Sequence, residues 1–362
     1  MSSYGDYPDL SRVRSVLVIK LRQLGDVLLA TPLFSVLKKK LPQAAIDAYV
    51  YSEAIPLLAE HPAVHKVWGY NRDWKRAFLG SRWMREAAML WALRREGYDL
   101  VLNLTEGDRG AIAGRISGAP IRVGFNKGKQ RLYTHVAKDC PSLRHKVERN
   151  LDLVRRIGIF PAPEDRELVF PLSSAVIEAM RGVAGEGFYL VHPASRWKFK
   201  CWPIEKMRQT IRAIRERGFR VVVTSSSDPA ERAMAREICA GLDVLNLAGE
   251  TNLHELGALI YLSQHLLCVD SLPLHIASAL KKPVTVLFGP TSEITWGPWR
   301  NPHARVVTQP FSCRPCYQDG CGGSKVSECL QTLSVERLEA ELFAEVTRPR
   351  LPVGQQFIDS PR

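Results

Sequence analysis

The sequence predicts an α/β protein of two domains, each built on a parallel sheet. Three observations lead there. At 362 residues the chain is longer than one hydrophobic core comfortably serves. Apolar, β-rich runs alternate with stretches of helical period along almost its whole length. Runs such as Val221-Val-Val and Val284-Thr-Val-Leu-Phe are apolar throughout, as in strands buried on both faces.

In the first half, strands are predicted at 16–21, 45–51, 99–104 and 122–125, with helices at 31–41, 82–95 and 145–157. Within 82–95, Trp83, Ala87, Leu90 and Trp91 fall on one helical face. Residues 158–173 carry three prolines and no helical period, which marks an interdomain linker. In the second half, strands are expected at 188–192, 220–224, 244–247, 266–269 and 284–288. Helices are expected at 204–217, 229–240, 253–262 and 273–280. The domain reading is therefore two Rossmann-like domains facing an interdomain cleft, 1–160 and 174–346, with a linker at 161–173 and a flexible tail at 347–362.

Hydrophobic content of 46% with 24% charged residues suits a globular chain. No stretch approaches the ~18 apolar residues of a membrane span. The polar first residues and the short run broken by Lys20 do not form a signal peptide, so a cytoplasmic location is expected. The formal charge of +13 points to a polyanionic partner: nucleic acid, an anionic membrane face or a phosphorylated substrate. Much of the excess lies in 66–95 and 122–131, although for any one residue a solvated surface explains it as well. Nucleic acid is disfavoured, because the basic residues are not interleaved with a stacking aromatic platform.

Four segments carry candidate chemistry, each where a strand gives way to a helix. Residues 16–32 run from an apolar strand through Arg22, Gln23 and Gly25 to Asp26, which places a carboxylate in a strand-end crevice. The segment 192–203 gathers Ser195, Arg196, Lys198 and Lys200 where a diphosphate could lie; alternatively they are surface cations around core Trp197 and Trp202. Asp228 follows the next strand and can take ribose hydroxyls or cap the helix at Pro229. In 268–280 a strand ends at Asp270. Asp270 or Ser271 can cap a helix with Pro273 in its first turn, which makes a phosphate site; the plain alternative is a cap with His275 against the sheet. Neither G-x-G-x-x-G nor a P-loop is present, which argues against a dehydrogenase or a nucleoside triphosphatase.

These segments resemble glycosyltransferase family 9, the ADP-heptose:lipopolysaccharide heptosyltransferases. The resemblance is carried by Lys-Leu-Arg-Gln-Leu-Gly-Asp-Val-Leu-Leu-Ala-Thr-Pro at 20–32, Lys-Cys-Trp-Pro at 200–203, Val-Asp-Ser-Leu-Pro-Leu-His at 269–275 and Phe-Gly-Pro-Thr at 288–291. It spans roughly residues 14–346, and the Arg-Gln-Leu-Gly-Asp variant is most similar to the heptosyltransferase III branch. It implies a GT-B fold and metal-independent, inverting transfer of heptose from ADP-heptose to the lipopolysaccharide inner core (Kdo and heptose on lipid A), at the inner face of the inner membrane. Asp26 matches the catalytic base, Lys200 the diphosphate contact and Asp270 the acid that binds the donor sugar. Ser271, Leu272, Pro273 and Leu274 match the helix end under the phosphates, within the motif that includes His275. Thr251 to Leu253 match the adenine cradle, and Asp228 loosely matches the ribose acid. Many relatives carry Gly where this chain has Leu272. With an anionic core as acceptor, Arg22, Arg72, Lys75, Arg76, Lys127, Lys129 and Arg131 become acceptor or membrane-surface candidates, as does Arg82.

Eight cysteines remain to be placed. Cys140, Cys201, Cys239 and Cys268 are expected to be reduced and buried. Cys313, Cys316, Cys321 and Cys329 have spacing open to a structural zinc or to plain thiols. Other readings stay open: another heptosyltransferase step (I or II), a GT-B-like sugar-nucleotide epimerase, or a non-enzymatic polyanion-binding protein.

Overall fold

The computed structural model of the chain describes residues 6–76, 79–125, 130–140 and 142–344. It divides into two compact units between Pro171 and Leu172. Each unit is a six-stranded sheet in which all pairs are parallel, with helices as crossovers.

In the first unit the strands are β1 (Ser15–Lys20), β2 (Ala45–Tyr51), β3 (Lys66–Tyr70), β4 (Leu100–Asn103), β5 (Ile121–Phe125) and β6 (His135–Ala137), in the order β3-β2-β1-β4-β5-β6. The second has β7 (Tyr189–His192), β8 (Val221–Val223), β9 (Leu245–Asn246), β10 (His265–Val269), β11 (Val284–Phe288) and β12 (Ala304–Thr308), in the order β12-β11-β10-β7-β8-β9. The two orders describe the same winding. In each, the chain leaves the first strand in one direction and returns to its other side with the fourth. That reversal opens a crevice at the strands' carboxyl ends, between β1 and β4 and between β7 and β10.

The central strands are buried on both faces, which explains their unbroken apolar runs: β10 and β11 are buried at every position. The helices bury one stripe each. Ile204–Glu216 turns Met207, Thr210, Ile211 and Ile214 inward, at helical spacing. The first core gathers Leu17, Ile19, Tyr49, Tyr70 and Leu93; the second gathers Trp202, Ile211, Val223, Leu267 and Leu330.

Three strands go beyond the sequence reading: β3, β6 and β12. All three are sheet edges, half-exposed, and β3 carries Lys66 and Gly69 within its five residues. An edge strand needs no continuous apolar run, so its pattern is weak. The helix Ser174–Ala184 was also not anticipated. The proline-rich segment at 158–173 is no free linker. Pro163–Arg166 forms a short 3-10 turn, Lys39 pairs with Asp165 at 2.5 Å, Thr31 Oγ1 accepts from Val169 N at 3.0 Å, and Leu168 and Phe170 are buried. The face bearing Trp83, Ala87 and Trp91 points outward; the Leu79–Arg95 helix buries Leu93 and half-buries Met89 and Leu90 instead. Of the scattered cysteines only Cys268 is buried, while Cys140 is exposed and Cys201 and Cys239 are intermediate.

Candidate active site

In the first unit, β1 ends at Lys20 and the chain enters the short helix Leu24–Leu28, with Asp26 in its first turn. Asp26 therefore stands at the β1/β4 switch point. Its side chain is 13% exposed, its Oδ1 lies 3.7 Å from Lys20 Nζ, and that oxygen accepts no hydrogen bond from the described residues. Lys20 is buried, and its Nζ donates to Asn150 Oδ1 at 3.3 Å. Asn150 in turn donates to Leu29 O at 2.9 Å, which fixes the floor of the site. Burial pushes the Lys20 ammonium down to about 8. Asp26 opposes that shift, while Lys146, Arg22 and Arg149 add to it.

The loop after β4 is tied to the loop after β1, since Leu21 N donates to Thr105 Oγ1 at 2.8 Å. Next to Thr105, Glu106 meets Arg149 at 2.5 Å, Lys146 at 3.9 Å and Arg22 at 4.0 Å. Burial, then Arg149, lowers the ammonium of Lys146. Arg72, just past β3, donates to Glu53 at 2.8 Å and to Gln23 Oε1 at 3.5 Å, and its guanidinium lies over the Tyr51 ring. Arg22 and Arg72 thus both border the turn that carries Asp26. Lys75 and Arg76 continue the Arg72–Arg76 3-10 turn, and Arg131 lies in an exposed turn before β6. Lys127 and Lys129 lie outside the described residues. Sequence reasoning missed the roles of Lys20, Glu106, Lys146 and Arg149. The available signal was the Thr105-Glu-Gly-Asp run directly after a predicted strand, with an amphipathic cationic helix at 146–155.

In the second unit, three sheet neighbours converge on one carboxylate. Asp270 follows β10 and is 5% exposed; Lys200, from the turn after β7, donates to its Oδ2 at 2.7 Å, and Thr291, past β11, donates to the same oxygen at 2.6 Å. The Phe288–Thr291 turn is itself held by the cysteine-bearing segment. Arg314 Nε donates to Gly289 O at 2.6 Å, and Cys316 N and Tyr317 N both donate to Pro290 O.

Ser271 sits at the N-cap of the helix Leu272–Ala279, but its Oγ donates back to Val269 O at 3.1 Å and caps nothing. Pro273 has no N–H and Leu274 N donates to Ser271 O, so the end of the helix offers the Leu272 N–H to another acceptor. Leu272 is half-buried, while Pro273 and His275 are buried. Ser195 accepts from Trp197 N at 3.3 Å, and Arg196 is exposed. Trp202 is core, with its Nε1 on Leu333 O, whereas Trp197 is 46% exposed. Asp228 caps the helix Pro229–Cys239 through Oδ1, which accepts from Ala230 N and Glu231 N. Thr251 and Leu253 flank Asn252, which forms a capping box with Glu255.

Of the two readings left open for the cysteine segment, structural zinc or plain thiols, the structure shows free thiols. Among the described residues, no group of three or more His, Cys, Asp or Glu side chains is arranged to hold a metal ion. Cys321 Sγ instead accepts from Glu328 N, and Cys329 is buried in the helix Glu328–Gln331. Burial raises the Cys329 thiol. Arg314 opposes that shift, and Cys316, Cys321 and Cys313 add to it, so four neighbouring sulfurs coexist without a ligand geometry.

Two Rossmann-like sheets, with a carboxylate at one switch point and a Lys–Asp–Thr cluster beside a helix N-terminus at the other, have the architecture of a GT-B glycosyltransferase. The sequence matches glycosyltransferase family 9 (heptosyltransferase) over residues 87–326. Lipopolysaccharide heptosyltransferase 3 of Escherichia coli K12 is 33% identical over 294 residues, covering 77% of this chain and 83% of that protein. The lipopolysaccharide heptosyltransferase 2 of the same strain is 27% identical, over 76% and 83%. Among solved structures, E. coli ADP-heptose lps heptosyltransferase II superposes with a TM-score of 0.74 at 23% identity, covering 91% of this chain and 97% of that one. This chain belongs to glycosyltransferase family 9.

Proposed function

We propose that the chain is an inverting transferase that moves heptose from ADP-heptose to the lipopolysaccharide inner core, adding the branch heptose III to heptose II. The higher identity to heptosyltransferase 3 than to heptosyltransferase 2 supports that step. The observation that carries the chemistry is Asp26. Its Oδ1 is buried beside Lys20 with no hydrogen-bond donor among the described residues, a state that costs about 1–3 kcal/mol unless something fills it. An acceptor hydroxyl fills it. As that oxygen attacks the anomeric carbon, its proton passes to Asp26, the bond to ADP breaks on the opposite face, and the configuration inverts.

In the second unit, Lys200, Arg196, Ser195 and the first turn of Leu272–Ala279 take the charge of the departing diphosphate. Asp270, held by Lys200 and Thr291, receives the sugar hydroxyls. Thr251 and Leu253 take adenine, and the second oxygen of Asp228 is left for the ribose. Arg22, Arg72, Lys75, Arg76, Lys127, Lys129 and Arg131 serve an anionic acceptor, with the enzyme held peripherally on the inner membrane's cytoplasmic face. Among the described residues no helix is long and apolar enough to cross a membrane.

The test is ADP release from ADP-heptose with and without inner-core acceptor. Release should require the acceptor, and Asp26→Asn should slow it by about 10²–10⁴-fold while ADP binding is retained. Undiminished transfer by that variant removes Asp26 from the base role, and conversion of the donor without acceptor removes the transferase reading. Mass spectrometry of lipopolysaccharide from a strain lacking the protein identifies the step by the heptose that is lost.

A further inference from the structure

The helix Leu79–Arg95 presents its bulkiest side chains to solvent. Trp83 is 63% exposed, Met84 69% and Trp91 61%. At 3.6 residues per turn these three fall within an arc of about 100°. The neighbouring helix Asp108–Ile116 extends the apolar surface with exposed Ile112 and Ile116, and Arg94 Nη1 donates to Ile116 O at 3.4 Å to join the two. Most of the exposed large apolar side chains described in the first unit lie on these two helices. A patch of this kind marks an interaction site.

Charge decides what it fits. Exposed Arg85, Arg94 and Arg95 border the aromatic face, and the Arg95 guanidinium lies over the Trp91 ring. The helix's single acid, Glu86, is turned inward, accepting from Tyr70 OH at 2.6 Å and from Arg109 at 3.3 Å. Glu96, just past the helix, is paired with Lys66 at 2.6 Å. An exposed face of tryptophan and methionine rimmed by arginine, with no acid from its own helix on it, has the composition of a helix lying in the headgroup region of an anionic bilayer; exposed Asp108 opens the neighbouring helix, in line with Ile112. A protein-facing helix has no need to keep that face free of acids.

Position agrees with this. The helix returns from the carboxyl end of β3 to the amino end of β4, so its first turns, with Trp83 and Met84, stand at the end of the sheet that bears Asp26.

We infer that the Trp83–Met84–Trp91 face of this helix is the surface by which the enzyme docks on an anionic lipid bilayer. This rests on the membrane part of the functional reading, and it names the element responsible.

The test uses the full chain with phosphatidylcholine vesicles, with and without phosphatidylglycerol. The wild type should co-sediment with the anionic vesicles, less so at high salt, and its tryptophan emission should shift to the blue. Trp83→Ala/Met84→Ala/Trp91→Ala should bind about tenfold or more weakly, and Trp83→Phe/Trp91→Phe should lose the emission shift. Far-UV circular dichroism and the thermal melting of both variants should match the wild type, which reports that the unit carrying the substitutions is folded. If no vesicle binds the wild type, the membrane reading itself fails. If variants and wild type bind alike, the docking surface lies elsewhere. If the triple variant changes oligomeric mass while vesicle binding holds, the face is a contact between protein copies.

Discussion

Lys20 is the residue with most to explain. A lysine buried at the end of a central strand is tolerated because Asn150 and Asp26 face it, and it remains easier to deprotonate than an ordinary lysine, near pH 8. As pH rises through that value, the ammonium opposite Asp26 loses its charge. kcat/KM should therefore fall above about pH 8, and Lys20→Met should be slow across the range without that limb. A pH profile that keeps the same alkaline limb in Lys20→Met would assign the limb to Lys146 or another group. Stability follows the opposite sign. The folded state releases this proton near 8 and the unfolded state near 10.5, so the unfolded chain binds more protons between those values and Lys20 favours folding increasingly as pH rises across that window. None of this was legible from the run Val-Leu-Val-Ile-Lys, where Lys20 registers only as the end of an apolar stretch. Asp26 was legible, because an apolar strand, a glycine turn and a following helical period place its carboxylate in a strand-end crevice.

The elements divide between those that the sequence states and those that only the sheet explains. The central strands and most of their crossover helices follow from periodicity, because burial on both faces demands continuous apolar residues; the crossover Asp108–Ile116, between β4 and β5, was missed. The edges β3, β6 and β12 did not, since solvent on one side permits Lys66, Gly69 and His135. Capping shows a finer version of the same limit. The sequence offered Asp270 or Ser271 as the cap of one helix and Asp228 as the cap of another; the structure gives Leu272–Ala279 no side-chain cap, because the Ser271 hydroxyl is drawn back to Val269 O, whereas Asp228 caps Pro229–Cys239. Asp228→Ala should cost about 1 kcal/mol, whereas Asp228→Asn, which keeps an accepting oxygen, should melt within a degree or two of the wild type. Thermal denaturation of the two variants separates them. Equal destabilisation would mean that the carboxylate charge, and not the cap, is what the helix uses.

At the scale of the whole molecule, each unit has its own sheet, its own core and its own complement of proposed site residues. Every donor-side candidate, from Ser195 to Thr291, lies in the second unit, as does the cysteine segment that holds the Pro290 turn. A fragment of residues 172–344 should therefore fold cooperatively and bind ADP within about tenfold of the full chain. Calorimetry and ADP titration check this, and an unfolded fragment would show that the units depend on one another for stability. The sequence foretold two sheets of this type, but it could not place Lys20, Glu106 and Arg149 around Asp26. Those residues are far apart in the chain: Glu106 arrives because β4 neighbours β1, and Arg149 because the helix Lys146–Arg155, which follows β6, packs against the Thr31–Lys40 helix.

The two sheets share one winding order, yet one switch point holds a carboxylate beside a buried lysine and the other a carboxylate clamped by lysine and threonine. Identical scaffolds with different loops make the molecule modular. On the proposed function, changes in the loops after β1, β3 and β4 retune what is accepted while the residues after β7, β10 and β11 keep the same donor. A lineage built this way can diversify its products one loop at a time, with the sugar-nucleotide supply unchanged.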